Sequence, residues 1–213
     1  VSVVSLIAYN GWSVTTEPSQ APDVKFVESI IDHIAYLIPN VTVTLAGHSQ
    51  GCAFVQRLFI ESQYSRIKKG ICSNSQLTLS QYNLSQNTFY MSSPFDVIED
   101  GERLMTIPAN LYPKRHLLFL EGARDNIVQN EFSTRNTLLN GPGGRVHRLD
   151  TTAYAWAQAF GFRNGQKHWK KQYDVSYVSY RGIGSIDMYV FDTKCHDYDN
   201  RVAWGIISQF MYT

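Results

Sequence analysis

Apolar positions along the chain fall into two rhythms. Val24, Phe26, Val27, Ile30, Ile31, Ile34 and Leu37 recur at three- and four-residue spacing, which predicts a helix from Asp23 that stops before Pro39-Asn40. Val41-Thr42-Val43-Thr44-Leu45-Ala46 has no such spacing and reads as a buried strand, and Ala53 to Ile60 returns to the helical period. Val1 to Ala8 is apolar and β-branched and predicts an opening strand, followed by a turn at Tyr9-Asn10-Gly11-Trp12 and a loop from Pro18 to Pro22. Further strands are expected at Thr88 to Met91, at His116 to Leu120 with a stop at Glu121-Gly122, and at Ile186 to Phe191. Helices are expected at Thr151 to Phe160 and Val202 to Met211. Cys72 to Asn87 shows no period, Pro94 to Pro113 reads as a loop-rich excursion, and Gly141-Pro142-Gly143-Gly144 is the strongest loop signal.

Strands that alternate with helices imply an α/β domain around a mostly parallel sheet. No repeat or linker divides residues 1-213, a length that suits a single domain with its own core. Charged residues make up 17% of the chain and the net charge is +1, so nothing in the charge balance points to nucleic acid or an anionic membrane. Lys167-His168-Trp169-Lys170-Lys171 is the densest basic cluster and reads as a solvated helix end or loop. No apolar stretch reaches the length of a membrane-spanning helix. The cysteines Cys52, Cys72 and Cys195 form no metal-type pair, and their spacing fixes no disulfide.

Between the predicted strand ending at Ala46 and the helix after it lies Gly47-His48-Ser49-Gln50-Gly51, a G-x-S-x-G pattern. In a nucleophile elbow the serine sits on a sharp strand-to-helix turn, and its flanking glycines let backbone approach closely. The pattern alone is weak; strand, turn and helix in that order strengthen it. The plain alternative is an idle serine in an ordinary βα turn.

A serine hydroxyl needs a base, usually a histidine oriented by a carboxylate. Asp125 follows the strand ending at Leu120, and His196 follows the strand ending at Phe191, so the order Ser49, Asp125, His196 is the one such a fold requires. Asp96 and Asp100 are competing acids. His48 is expected to point away from the Ser49 hydroxyl, and His33, His116, His147 and His168 read as ordinary structural or surface residues. The Gln50 N–H is the first oxyanion donor, placed by the elbow itself; a second donor normally comes from a loop after an earlier strand, and no such loop is recognisable from Val1 to Asn40.

With these residues in place the chain resembles the polyhydroxybutyrate depolymerase and feruloyl esterase family of α/β-hydrolases. The resemblance rests on Val41 to Gly51, on Leu118 to Val128 around Asp125, on Ala153 to Gly161, and on Met188 to His196 with Ala203 to Phe210. The chain departs from that family at Cys52, where a second glycine is common, and at Asp197-Tyr198, where a Trp-Pro type segment is common. Cutinases and triglyceride lipases carry similar elbows.

The resemblance implies an α/β-hydrolase three-layer sandwich that lacks its N-terminal strands in this chain. It leads us to expect an upstream segment of the same protein completing the sheet beside the elbow strand. The expected activity is carboxylic-ester hydrolysis through an acyl-enzyme, on polymer-linked esters of the hydroxyalkanoate or feruloyl-polysaccharide type, with no metal or organic cofactor. Alternatives are a non-catalytic binding or structural protein of the same fold, and a lipase or thioesterase. Secretion is expected from the resemblance and from the sequons Asn40-Val41-Thr42 and Asn83-Leu84-Ser85, of which the second is the better acceptor because the first abuts the elbow strand.

Overall fold

The helical stripe read after Asp23 forms α1 (Asp23–Leu37), and Val24, Val27 and Ile31 on it are buried. The computed structural model describes residues 2–8, 11–14, 22–90, 106–108, 114–128, 139–141, 144–163, 167–196 and 201–213. The elements that follow α1 are β1 (Val43–His48), α2 (Gln50–Glu61), β2 (Ile67–Ser73), β3 (Tyr82–Asn83), β4 (Thr88–Tyr90), β5 (Thr106–Pro108) and β6 (His116–Gly122). Then come β7 (Leu139–Gly141), β8 (Gly144–Val146), α3 (Leu149–Ala159), β9 (Lys167–Gln172), β10 (Val175–Arg181), β11 (Ser185–Phe191) and α4 (Arg201–Tyr212).

Six strands form the main sheet in the order β1-β2-β6-β11-β10-β9. β1, β2, β6 and β11 run parallel, and β10 and β9 add an antiparallel pair at one edge. The expected α/β class with a mostly parallel sheet is therefore observed. β6 is buried from Leu117 to Gly122, as a central strand covered on both faces must be. Residues of α1, α2 and α3 share one apolar cluster with Leu117, Phe119 and Met188, while Ala203 and Phe210 of α4 pack with Leu118, Leu120 and Phe191. Helices thus cover both faces. No described helix is long and apolar enough to cross a membrane.

Four expectations need correction. Residues 2–8 form no strand; among the described residues they pair with nothing in the sheet, and Val3 and Ile7 stay 87% and 88% exposed. A β-branched run gains little from extension when no neighbouring strand takes its backbone hydrogen bonds. The basic cluster at Lys167 is neither a helix end nor a loop but the exposed edge strand β9, where lysines discourage further pairing. β1, read as a buried strand, is instead an edge strand among the described residues with none of its residues fully buried, whereas the strand expected at Thr88 is present as β4 in a separate three-stranded sheet. Asn40 is exposed, whereas the Asn83 side-chain nitrogen already donates to Gln86 Oε1 and Tyr90 Oη at 3.1 and 2.8 Å, so Asn40 is the more accessible sequon.

Two loop readings fall partly outside the described residues. β7 and β8 form a hairpin flanking residues 142–143, and β5 lies inside the Pro94 to Pro113 stretch, most of which is not described.

Candidate functional site

Ser49 stands between β1 and α2 with φ 53° and ψ −122°. A non-glycine residue at this combination lies outside the main allowed regions, at a cost on the order of 1–3 kcal/mol, so the surroundings must hold it. They do so through the backbone: Ser49 N–H donates to Ser73 O at 2.8 Å, and Ser49 O accepts from the Cys52 and Ala53 N–H groups at 3.0 and 3.1 Å. A Cβ on Gly47 would collide with the Gly51 carbonyl and lie 2.6 Å from Cys52 N, so the turn closes this tightly only with glycine there. Gly51 is different, since a Cβ would meet nothing within 4 Å. Serine at a helix N-cap usually spends its hydroxyl on the first turn, but Ser49 makes no such bond.

Gln50 opens α2, and its N–H belongs to the first turn, where donors have no intrahelical acceptor. Its side chain reaches away, with Nε2 donating to Trp12 O at 3.1 Å. Trp12 stacks on Phe54 with ring centroids 4.4 Å apart, and Ser13 N–H donates to Asp23 Oδ2 at 2.7 Å. The 11–14 segment is thereby fastened beside the elbow.

Asp125 lies three residues beyond β6 and is buried. Its Oδ1 accepts from the Ile127 and Val128 N–H groups at 2.8 and 2.9 Å, which fixes the carboxylate plane. Its Oδ2 lies 2.8 Å from His196 Nδ1 and accepts from Asn74 Nδ2 at 2.9 Å. An ionised carboxylate only accepts, so His196 Nδ1 carries the hydrogen and the lone pair of the neutral ring sits on Nε2.

The two loops meet because β6 and β11 are neighbours whose extensions zip together. Ala123 N–H donates to Phe191 O and Arg124 N–H to Lys194 O, both at 2.9 Å. Gly122 permits this, since a Cβ there would lie 2.8 Å from Lys194 C.

His48 connects this pair to the elbow. Its ring lies 4.8 Å from that of His196, tilted by 52°, and its Nδ1 lies 3.0 Å from Ser73 Oγ. Ser73 Oγ donates to Asn74 Oδ1 at 3.1 Å, so its lone pair faces His48 and His48 Nδ1 is the donor. Asn74 has φ 53° and also donates from Nδ2 to Cys195 O at 3.1 Å.

The structure therefore brings Asp125 and His196 into contact and sets His196 beside the residue preceding Ser49. Among the described residues no hydrogen bond joins the Ser49 hydroxyl to His196. Asp96 and Asp100 lie outside the described residues.

Sequence reasoning missed Ser73 and Asn74. Their strand, β2, was unread, and a polar Ser-Asn pair signals a strand-end turn only once the strand before it is known.

Behind Asp125 lies a second carboxyl, Glu121, fully buried on β6. Its Oε1 accepts from Ser75 N–H at 3.3 Å, and its Oε2 has no partner. Burial, then the nearby Cys52 and Asp125, push its pKa well above the ordinary 4.5. Burial first, then Cys72, push the Cys52 thiol up as well, which keeps it unreactive.

Among the described residues no cluster of three or more His, Cys, Asp or Glu side chains is arranged to hold a metal ion. No protein-family model and no curated protein matches the chain.

Proposed function

We propose that residues 1-213 form the catalytic domain, of α/β-hydrolase type, of a serine carboxylic-ester hydrolase. The observation that carries the proposal is the 2.8 Å contact between His196 Nδ1 and Asp125 Oδ2, next to an elbow serine at φ 53° whose hydroxyl caps nothing. In this reading His196 Nε2 takes the Ser49 proton as Oγ attacks the ester carbonyl, then passes it to the departing alcohol. Asp125 holds the ring tautomer and stabilises the imidazolium, and the Gln50 N–H donates to the oxyanion. Water, activated by the same histidine, then cleaves the acyl-enzyme and restores Ser49.

The polymer-linked ester remains the proposed substrate class, supported by the sequence resemblance. Passage through a secretory route is proposed on the same ground, and the exposed Asn40 suits it.

A second oxyanion donor has to come from elsewhere. β1 is an edge strand among the described residues and carries apolar Val43, Leu45 and Ala46 with no lysine, whereas the opposite edge, β9, carries Lys167, Lys170 and Lys171. An edge without such protection suits a further strand. We propose that an upstream segment of the same protein supplies it, with the missing donor in the loop that follows.

A fluorophosphonate probe with peptide mapping tests the proposal. Labelling confined to Ser49, lost in Ser49→Ala and slowed about 10⁴-fold in Asp125→Asn, is expected. A folded protein that never labels would overturn it and leave the second reading, a non-catalytic binding protein of similar architecture. The observation that favours this alternative is the missing hydrogen bond between Ser49 and His196, although such bonds often tighten only when substrate arrives.

A further inference from the structure

Two of the three cysteines meet beneath the elbow. Gly47 on β1 is the register partner of Cys72 on β2, and a Cβ on Gly47 would lie 2.6 Å from Cys52 N, so both cysteines border one glycine. Their side chains turn towards each other. The Cys72 thiol donates to Cys52 O at 3.8 Å, and the Cys52 thiol donates to Ser75 O, three residues beyond Cys72, at 3.3 Å. Burial first, then a hydrogen bond with the Cys72 side chain, raises the Cys52 pKa. Both residues are wholly buried, whereas Cys195 is exposed.

The pair flanks the strained serine. Ser49 N–H donates to the carbonyl of Ser73, the neighbour of Cys72, at 2.8 Å, while Ser49 O accepts from the Cys52 N–H at 3.0 Å. The positive-φ backbone of Ser49 is therefore gripped from β2 on one side and from α2 on the other. A covalent link between Cys52 and Cys72 would join the two grips. It would orphan no strong polar group, since a thiol is a weak donor and Ser75 O keeps Gln56 Nε2 at 3.5 Å.

We propose that Cys52 and Cys72 are joined by a disulfide that ties α2 to β2 around Ser49, formed by exchange with a small disulfide such as oxidised glutathione. One cysteine thiolate attacks the glutathione disulfide, expelling one glutathione thiolate and leaving a mixed disulfide. The other cysteine then displaces the second glutathione, so two protein thiols give up their hydrogens as one glutathione disulfide becomes two glutathione thiols. The attacking species is a thiolate with access to the oxidant, and burial denies both in the folded chain. The bond therefore forms while the chain is still folding and is sealed in afterwards. Its presence in the cell rests on the secretory route proposed above, because such compartments supply the oxidant. The chemistry itself needs neither that route nor an active Ser49.

The test uses the whole chain carrying Cys195→Ser, which leaves Cys52 and Cys72 as its thiols. Unfolded and reduced, it is refolded either with reduced and oxidised glutathione or with a phosphine reductant. Each sample is then blocked with N-ethylmaleimide in denaturant and mapped by mass spectrometry without reduction. Oxidative refolding is expected to give a cross-linked peptide pair and no adduct, and reductive refolding an adduct on each cysteine. The bond closes a loop of about twenty residues, so the oxidised chain should melt roughly 6–12 °C above the reduced one. Cys52→Ala and Cys72→Ala should each abolish that redox dependence. Ser49→Ala should retain it, so this outcome stands apart from the esterase proposal. Adducts on both cysteines after oxidative refolding, persistent mixed disulfides with glutathione, or a melting temperature indifferent to redox state would overturn the proposal.

Discussion

The two glycines of the elbow occupy equivalent places in the motif but different places in the structure, and alanine at each should separate them. At Gly47 the new methyl would press on the Gly51 carbonyl and sit 2.6 Å from Cys52 N, both backbone atoms of the turn that holds Ser49. No flexible side chain can move aside, so the backbone must shift. Overpacking of this kind costs about 1–3 kcal/mol, and the rigid neighbours put Gly47→Ala in the upper part of that range. At Gly51 the methyl meets open space, and in the first turn of α2 alanine gains from a few tenths to about 1 kcal/mol over glycine.

For a chain of this size 1 kcal/mol moves the melting temperature by about 2–4 °C. Gly47→Ala should therefore lower it by roughly 4–12 °C, and Gly51→Ala should leave it nearly unchanged or raise it by up to about 4 °C. Scanning calorimetry, paired with urea unfolding to check that the slope with denaturant is conserved, reads both. A neutral Gly47→Ala, or a Gly51→Ala that loses as much as its partner, would refute this account of the elbow.

Asn74→Ala removes the donor shared by Asp125 Oδ2 and Cys195 O, leaving the buried carboxylate oxygen with His196 alone and the part-buried carbonyl without this partner, at about 1–3 kcal/mol of stability. If the proposed chemistry holds, ester turnover should also fall by up to about 10²-fold with KM little changed, since the loss is in positioning. Steady-state kinetics beside thermal melts separate the two effects. Glu121 has its folded pKa raised above the ordinary 4.5, so its contribution is fully present below pH 4.5 and is lost as the pH climbs through the folded value. The parent should lose stability above that pH by at most about 1.4 kcal/mol per unit from this group, and Glu121→Gln should flatten the decline; identical pH profiles would show that Glu121 does not carry it.

Hydrophobic rhythm made α1, α2, β6, α3, β11 and α4 legible because each buries a defined stripe or both faces, and β1 was legible from its apolar run although none of its residues is fully buried. It hid β2, whose sequence Ile67-Lys68-Lys69-Gly70-Ile71-Cys72-Ser73 places two lysines and a glycine in the middle of a sheet. The structure accounts for two of these choices. Lys69 reaches the end of α4, and a Cβ on Gly70 would press on the Leu117 side chain and lie 2.9 Å from the Phe59 ring. Neither reason is visible from the local sequence. β9 was hidden differently, since all six of its residues are exposed and no alternation of burial exists to be read. Val1 to Ala8 misled in the opposite direction, because an apolar run states a preference for pairing without stating that a partner is there. At the candidate site, Ser49 was read from the G-x-S-x-G pattern and Asp125 and His196 from their places after strand ends, while Asn74, which holds Asp125 Oδ2 and Cys195 O, depended on the unread strand.

Sheet spacing shows why that join matters. β1 and β11 are three strands apart in the order, about 14 Å at the usual separation, yet the rings of His48 and His196 approach to 4.8 Å. The sheet alone would leave His196 over its own strand. Residues 192–196 must instead carry it back across the ends of β6 and β2, and each step of that path has an anchor. Over β6, the Arg124 N–H holds Lys194 O where Gly122 has no side chain to block it; over β2, Asn74 holds Cys195 O and presents the Asp125 carboxylate to the ring. The meeting of histidine and elbow is therefore set by hydrogen bonds between loops. A side chain at Gly122 or the loss of Asn74 should move His196 while leaving the sheet beneath it in place.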